Sequence, residues 1–64
     1  MNIGQIIRDR RIRRKLTQTQ LADAAGISQS QLSRWETGER VIDFDSFLAI
    51  AAALGVRPET LARG

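Results

Sequence analysis

The chain contains no cysteine, no histidine and no tyrosine. Without cysteine there is neither a disulfide staple nor a thiolate metal site, and without histidine no imidazole ligand, so the fold stands on packing alone. The same absences remove the nucleophiles and bases that enzymes most often use. Two clustered carboxylates, Asp43 and Asp45, fall in the first turn of an expected helix, where capping accounts for them, and no acid/base pair presents itself. The sequence therefore reads as no enzyme, with no cofactor and no metal. Long apolar runs are also missing. Nothing approaches the roughly 18 residues of a membrane span, and the N-terminus lacks the apolar core of a signal peptide, so the expectation is a cytoplasmic protein with no membrane partner. Length sets the last limit: 64 residues make one domain at most, and a chain this short buries only about 60% of its unfolded surface.

Basic charge is what the chain does have, and it is unevenly placed. The run RDRRIRRK, Arg8 to Lys15, holds six basic residues against Asp9 and carries +5, while the rest sums to −2, giving the net +3. Cations near a helix C-terminus are favoured by the macrodipole, so part of this run is accounted for by a solvated helix end. The remainder suits a polyanion, although charge alone does not separate DNA from RNA or a membrane surface.

A second feature is a repeated phrase: TQTQL at Thr17 to Leu21 and SQSQL at Ser28 to Leu32. The first N–H groups of a helix lack partners, and Ser or Thr at the N-cap with Gln three residues later satisfies two of them reciprocally. Thr17 with Gln20 and Ser28 with Gln31 fit that box. The apolar residue before each cap should pack on one in the first turns, Leu16 on Leu21 and Ile27 on Leu32. The repeat is thus two helix starts. Gly26 supplies the left-handed residue that ends the first helix after Ala25, so two short helices meet at a sharp turn.

The remaining elements are helical by similar signals. Asn2 caps a helix from Ile3 to about Arg14, with Ile3, Ile6, Ile7 and Arg11 on one stripe. Asp43 caps a helix that places Phe44, Phe47, Leu48, Ala51 and Leu54 inward and stops at Gly55, with Ile42 and Phe47 as a third staple. Pro58 opens a last short turn through Ala62. No alternating strand pattern appears. The expected fold is all-α: one compact five-helix domain over residues 1–64, containing a helix-turn-helix.

These residues resemble the Cro/C1-type helix-turn-helix domains of phage repressors and Cro proteins. The resemblance covers nearly the whole chain, from IGQIIRDRR through LTQTQLADAAGISQSQLSRWETG to DSFLAIAAALGV. Its centre is Ala22, the small residue where the two helices cross, with Gly26 at the turn and Leu21, Ile27, Leu32 and Trp35 at the apolar positions. Lys15, Arg10 and the pair Ile42 and Asp43 depart from the family's usual glycine, apolar residue and Pro-Ser.

At about 100° per residue, Leu32, Trp35 and Glu36 share one side of the third helix, and Gln29, Ser30, Ser33, Arg34 and Thr37 the other. That outer side consists of hydrogen-bonding groups. A helix fits the major groove of B-DNA, where Gln pairs bidentately with adenine, Arg with guanine and Ser with several edges. The resemblance implies that this helix enters the groove, with Gln29 and Ser30 as leading base contacts and Ser33 and Arg34 next. It further implies phosphate contacts from Gln18, which braces Gln29, and from Thr37, Arg40 and Arg11, and an ion pair between Arg11 and Glu36. Gln20 and Gln31 are assigned to capping and Trp35 to the core.

The resulting expectation is a transcriptional regulator, a repressor, bound to double-stranded DNA through an inverted-repeat operator and able to act as a homodimer. The alanines Ala49, Ala52 and Ala53 are a candidate dimer face, although alanine is simply the best helix former. The alternative is a protein-interaction module, such as an antitoxin that neutralises a partner toxin. A large exposed apolar patch would distinguish that reading.

Overall fold

The computed structural model describes residues 2–64, which form five helices and no strand: α1 (Ile3–Arg13), α2 (Gln18–Ala25), α3 (Gln29–Thr37), α4 (Phe44–Leu54) and α5 (Pro58–Arg63). The first four helices each begin on a side-chain oxygen. Asn2 accepts from the Gly4 and Gln5 N–H groups, Thr17 from Gln20, Ser28 from Gln31 and Asp43 from Ser46. At Thr17 and Ser28 the reciprocal bond is also made, each backbone N–H donating to Oε1 of Gln20 or Gln31 at 2.9 and 3.4 Å. Both capping boxes are complete. α5 has no side-chain cap and relies on Pro58 at its first position.

The ends of α1 and α2 use one pattern with different residues. After α2, Gly26 adopts φ 71° and the Ile27 N–H donates to the Ala22 carbonyl at 3.0 Å. After α1, Lys15 adopts φ 57°, and the Lys15 and Leu16 N–H groups reach the Ile12 and Arg11 carbonyls at 2.9 and 3.1 Å. These are the two bonds of a Schellman motif, built with a lysine where glycine would carry no steric cost. A second departure, Arg10, leaves a trace as well: its Nε is buried with no hydrogen-bond partner among the described residues.

The core comprises Ile6, Ile7, Leu21, Ala22, Leu32, Trp35, Ile50, Ala51, Leu54 and Leu61, with Leu16, Ile27, Ile42 and Phe47 packed at its edge. One expectation is corrected here. Phe44 is 71% exposed, and Leu48 is only half-buried, while Ile50 is enclosed. The stripe of α4 that packs on the core runs through half-buried Phe47 to buried Ile50, Ala51 and Leu54, and Phe44 lies about 70° from its centre in the first turn. No helix among the described residues is long and apolar enough to cross a membrane.

Close contacts at both ends help to position α1. A Cβ built on Gly4 would lie 1.7 Å from the Trp35 carbonyl oxygen, so the backbones of α1 and α3 approach closely there. At the other end of α1, the Arg14 Nη1 donates to the Leu54 carbonyl at 2.6 Å, satisfying the C-terminus of α4. α2 packs chiefly on α4, and α1 on α3, which leaves one side of α3 uncovered.

Candidate nucleic-acid interface

The site starts from a buried carboxylate. Glu36, in the last turns of α3, has a side chain only 2% exposed, facing Arg11 at 12%. Arg11 engages it with two prongs: Nε donates to Oε2 at 2.8 Å and Nη2 to Oε1 at 3.0 Å. Such a fork is geometrically specific and stronger than a neutral hydrogen bond. The Arg11 Nη1 donates to the Leu16 carbonyl at 2.8 Å, so one guanidinium ties α3 to α1 and to the entry of α2.

Glu36 has a further partner. The Gln18 Nε2 donates to its Oε1 at 3.0 Å, and the Gln18 Oε1 in turn accepts from the Gln29 Nε2 at 2.6 Å. Arg11, Glu36, Gln18 and Gln29 therefore form one continuous ladder from the edge of the core to the surface. Gln18 is half-buried and Gln29 exposed. The equivalent positions of TQTQL and SQSQL meet because α2 and α3 each begin there and the turn at Gly26 folds one start against the other.

Beyond Gln29, the outer side of α3 presents Ser30 and Arg34 in the open, with Ser33 half-buried between them. Arg34 makes a 3.6 Å ion pair with Glu39, both side chains being mostly solvated. Such a pair contributes little and yields readily to a better anion. The Thr37 hydroxyl donates to the Arg34 carbonyl at 3.1 Å, which leaves it as an acceptor. Arg40 is exposed in the loop after α3, beside Trp35, Val41 and Ile42. Gln20 and Gln31 are occupied at their caps.

The remaining phosphate candidate, Arg11, has an enclosed side chain with three of its N–H groups engaged by Glu36 and Leu16, which places it within the ladder. Two features escaped the sequence reading. The Gln18 to Glu36 bond joins residues 18 apart, with no local signal. The Gly4 approach had one: an isolated glycine in a helical pattern usually marks close packing.

A helix-turn-helix family model, HTH_3, matches residues 7–61. The chain belongs to that family. Repressor protein C2 of Salmonella phage P22 is 34% identical over 62 residues, 97% of this chain and 29% of the relative. The immunity repressor protein of Bacillus phage phi105 is 40% identical over 57 residues, 89% of this chain and 40% of the relative. The chain thus spans well under half the length of these curated relatives. Among solved structures, the P22 c2 repressor in complex with a synthetic operator superposes with a TM-score of 0.85 at 33% identity, over 95% of this chain and 92% of that one.

Proposed function

We propose that this chain is the DNA-reading domain of a transcriptional repressor, binding double-stranded DNA sequence-specifically with α3 in the major groove. The observation that carries the proposal is Gln29, exposed at the first turn of α3 and held at 2.6 Å by Gln18 from α2. A side chain fixed before binding loses less freedom on binding, and Ser30, Ser33 and Arg34 extend the same polar side. Gln29 and Ser30 read base edges first, with Ser33 and Arg34 after them. Arg40 and the remaining N–H of the Gln18 amide meet the phosphate backbone, Gln18 aided by the N–H groups that open α2, and Thr37 joins them once its hydroxyl turns from the Arg34 carbonyl to donate to a phosphate oxygen. The family and the operator-bound relative support this reading, and the target is an inverted repeat bound by two copies.

The protein-interaction reading has one observation in its favour. Val41 is 95% and Phe44 71% exposed near the start of α4. Two side chains fall short of the several-hundred-Å² patch that marks a protein interface, so DNA binding leads.

The test is selection from random duplexes followed by salt titrations on the selected and a scrambled duplex. Gln29→Ala should lose about 1 to 3 kcal/mol on the selected duplex and relax discrimination at one base pair, leaving nonspecific affinity nearly intact. Arg40→Ala should weaken binding to both duplexes alike and lower the salt slope by about one unit. Failure to enrich any sequence overturns the proposal.

A further inference from the structure

We infer that Glu36 is a specificity-determining positioning residue: its charge, relayed through the Gln18 amide, orients the Gln29 amide so that it reads adenine and rejects guanine. The inference rests on the proposed DNA-reading role of α3.

The logic follows from donors and acceptors alone. An ionised carboxylate only accepts. Both oxygens of Glu36 are engaged by Arg11, and Oε1 also accepts from the Gln18 Nε2 at 3.0 Å. Gln18 must therefore turn its NH2 end inward and its oxygen toward α3. That oxygen is an acceptor, so Gln29 must approach it with Nε2, as it does at 2.6 Å. A single anion in the core thus removes the twofold ambiguity of two successive amides.

The consequence lies at the groove. Gln29 has two N–H groups and one is committed to Gln18, leaving one donor and the carbonyl oxygen. Adenine offers N7 as acceptor and N6 as donor, which matches that remainder. Guanine offers two acceptors, N7 and O6. A free or reversed glutamine would meet both with its NH2, whereas the braced one has a single N–H left and sets its own oxygen against O6. Thymine and cytosine each present only one partner. The selectivity is thus built as much from a blocked wrong partner as from a good right one.

The experiment uses duplexes that differ only at the base pair whose discrimination Gln29→Ala abolishes. Dissociation constants are measured for wild type, Gln18→Ala and Glu36→Gln, each below its melting temperature. Wild type should prefer adenine to guanine by about 5- to 150-fold, the range of one bidentate pair. Gln18→Ala removes the middle rung while Arg11 and Glu36 stay paired. It should bring the adenine-to-guanine ratio to within about threefold, with ratios at other base pairs unchanged. Gln18 also stands as a phosphate contact, so the ratio, and not the affinity, is the readout. Glu36→Gln should show the same collapse, and a folded Glu36→Gln that keeps the wild-type ratio overturns the role of Glu36; where that variant does not fold, the double variant Arg11→Met with Glu36→Leu, which removes the anion without stranding its partner, carries the same measurement. An undiminished ratio in Gln18→Ala, or a wild-type preference for a base other than adenine, overturns the inference while leaving the DNA-reading role standing. A wild-type chain that prefers no sequence overturns both.

Discussion

Replacing Gly4 with alanine adds one methyl group at the crossing of α1 and α3. The new Cβ would stand 1.7 Å from the Trp35 carbonyl oxygen and 2.7 Å from its carbon. The obstacle is backbone, so no rotamer change relieves it, and α1 must move away from α3. Overpacking of this kind costs about 1 to 3 kcal/mol, and a rigid neighbour places it at the upper end. Alanine regains about 0.5 to 1 kcal/mol as the better helix former, for a net loss of about 2 kcal/mol. A chain of 64 residues has about 3 to 10 kcal/mol of stability in total. Each kcal/mol moves the midpoint of a small domain by about 4 to 8 °C, so the Tm should fall by about 8 to 16 °C. Circular-dichroism melts of wild type, Gly4→Ala and the exposed control Gln5→Ala make the measurement, with the control expected within about 0.5 kcal/mol of wild type. Gly4→Ala melting at or above wild type would refute the close approach.

The end of α1 gives the opposite sign. Lys15→Gly removes the strain of a side chain at φ 57°, offset in part by the greater freedom of glycine in the unfolded chain. It should stabilise the domain by about 0.5 to 1 kcal/mol, and a lowered Tm would contradict it. Asp43 supplies a pH dependence. Hydrogen bonds from the Ser46 side chain and then the Ser46 N–H hold its carboxyl below the ordinary carboxylate range. A pKa depressed by folding means that the contribution is complete above the unfolded value, about 3.9, and is lost as pH falls below it. Asp43→Asn, which caps without titrating, should therefore lose less Tm than wild type between about pH 4 and pH 2; equal acid sensitivity would remove Asp43 from the account.

How far each feature was legible in the sequence depends on how far along the chain its cause reaches. The starts of α2 and α3 were readable because a capping box spans three residues and is made of the residue types that define it. The turn at Gly26 was readable for the same reason. Phe44 was misplaced because the apolar spacing of α4 says which residues share a side, and not where the neighbouring helices stop covering it. Ser33 shows the same gap, lying on the polar side by phase yet half-buried. The site divides similarly. The outer polar side of α3 follows from helical phase. The pairing of Arg11 with Glu36 and the bracing of Gln29 entered only through family resemblance, because these partners lie 25 and 11 residues apart and meet only once the helices pack. Gln18 had an assigned partner in Gln29, and the one it also has in Glu36 had no sequence signal.

The repeated phrase finds its physical explanation in that difference. TQTQL and SQSQL are interchangeable as helix starts, and both capping boxes form alike. What separates their second residues is only what each meets after the chain turns at Gly26. Gln18 faces inward onto a carboxylate held by Arg11, and Gln29 faces outward with Gln18 behind it. The identical amides acquire different work because the buried charge lies at one end of the pair: the inner one has its polarity imposed by Glu36, and the outer one inherits the result. Since Glu36 belongs to α3 itself, the anion that orients Gln29 moves with the helix that carries Gln29. Arg11 and Gln18 then tie both to α1 and α2. The orientation of the Gln29 amide is in this way tied to the packing of the first three helices, so that a change loosening their crossing would also loosen that amide.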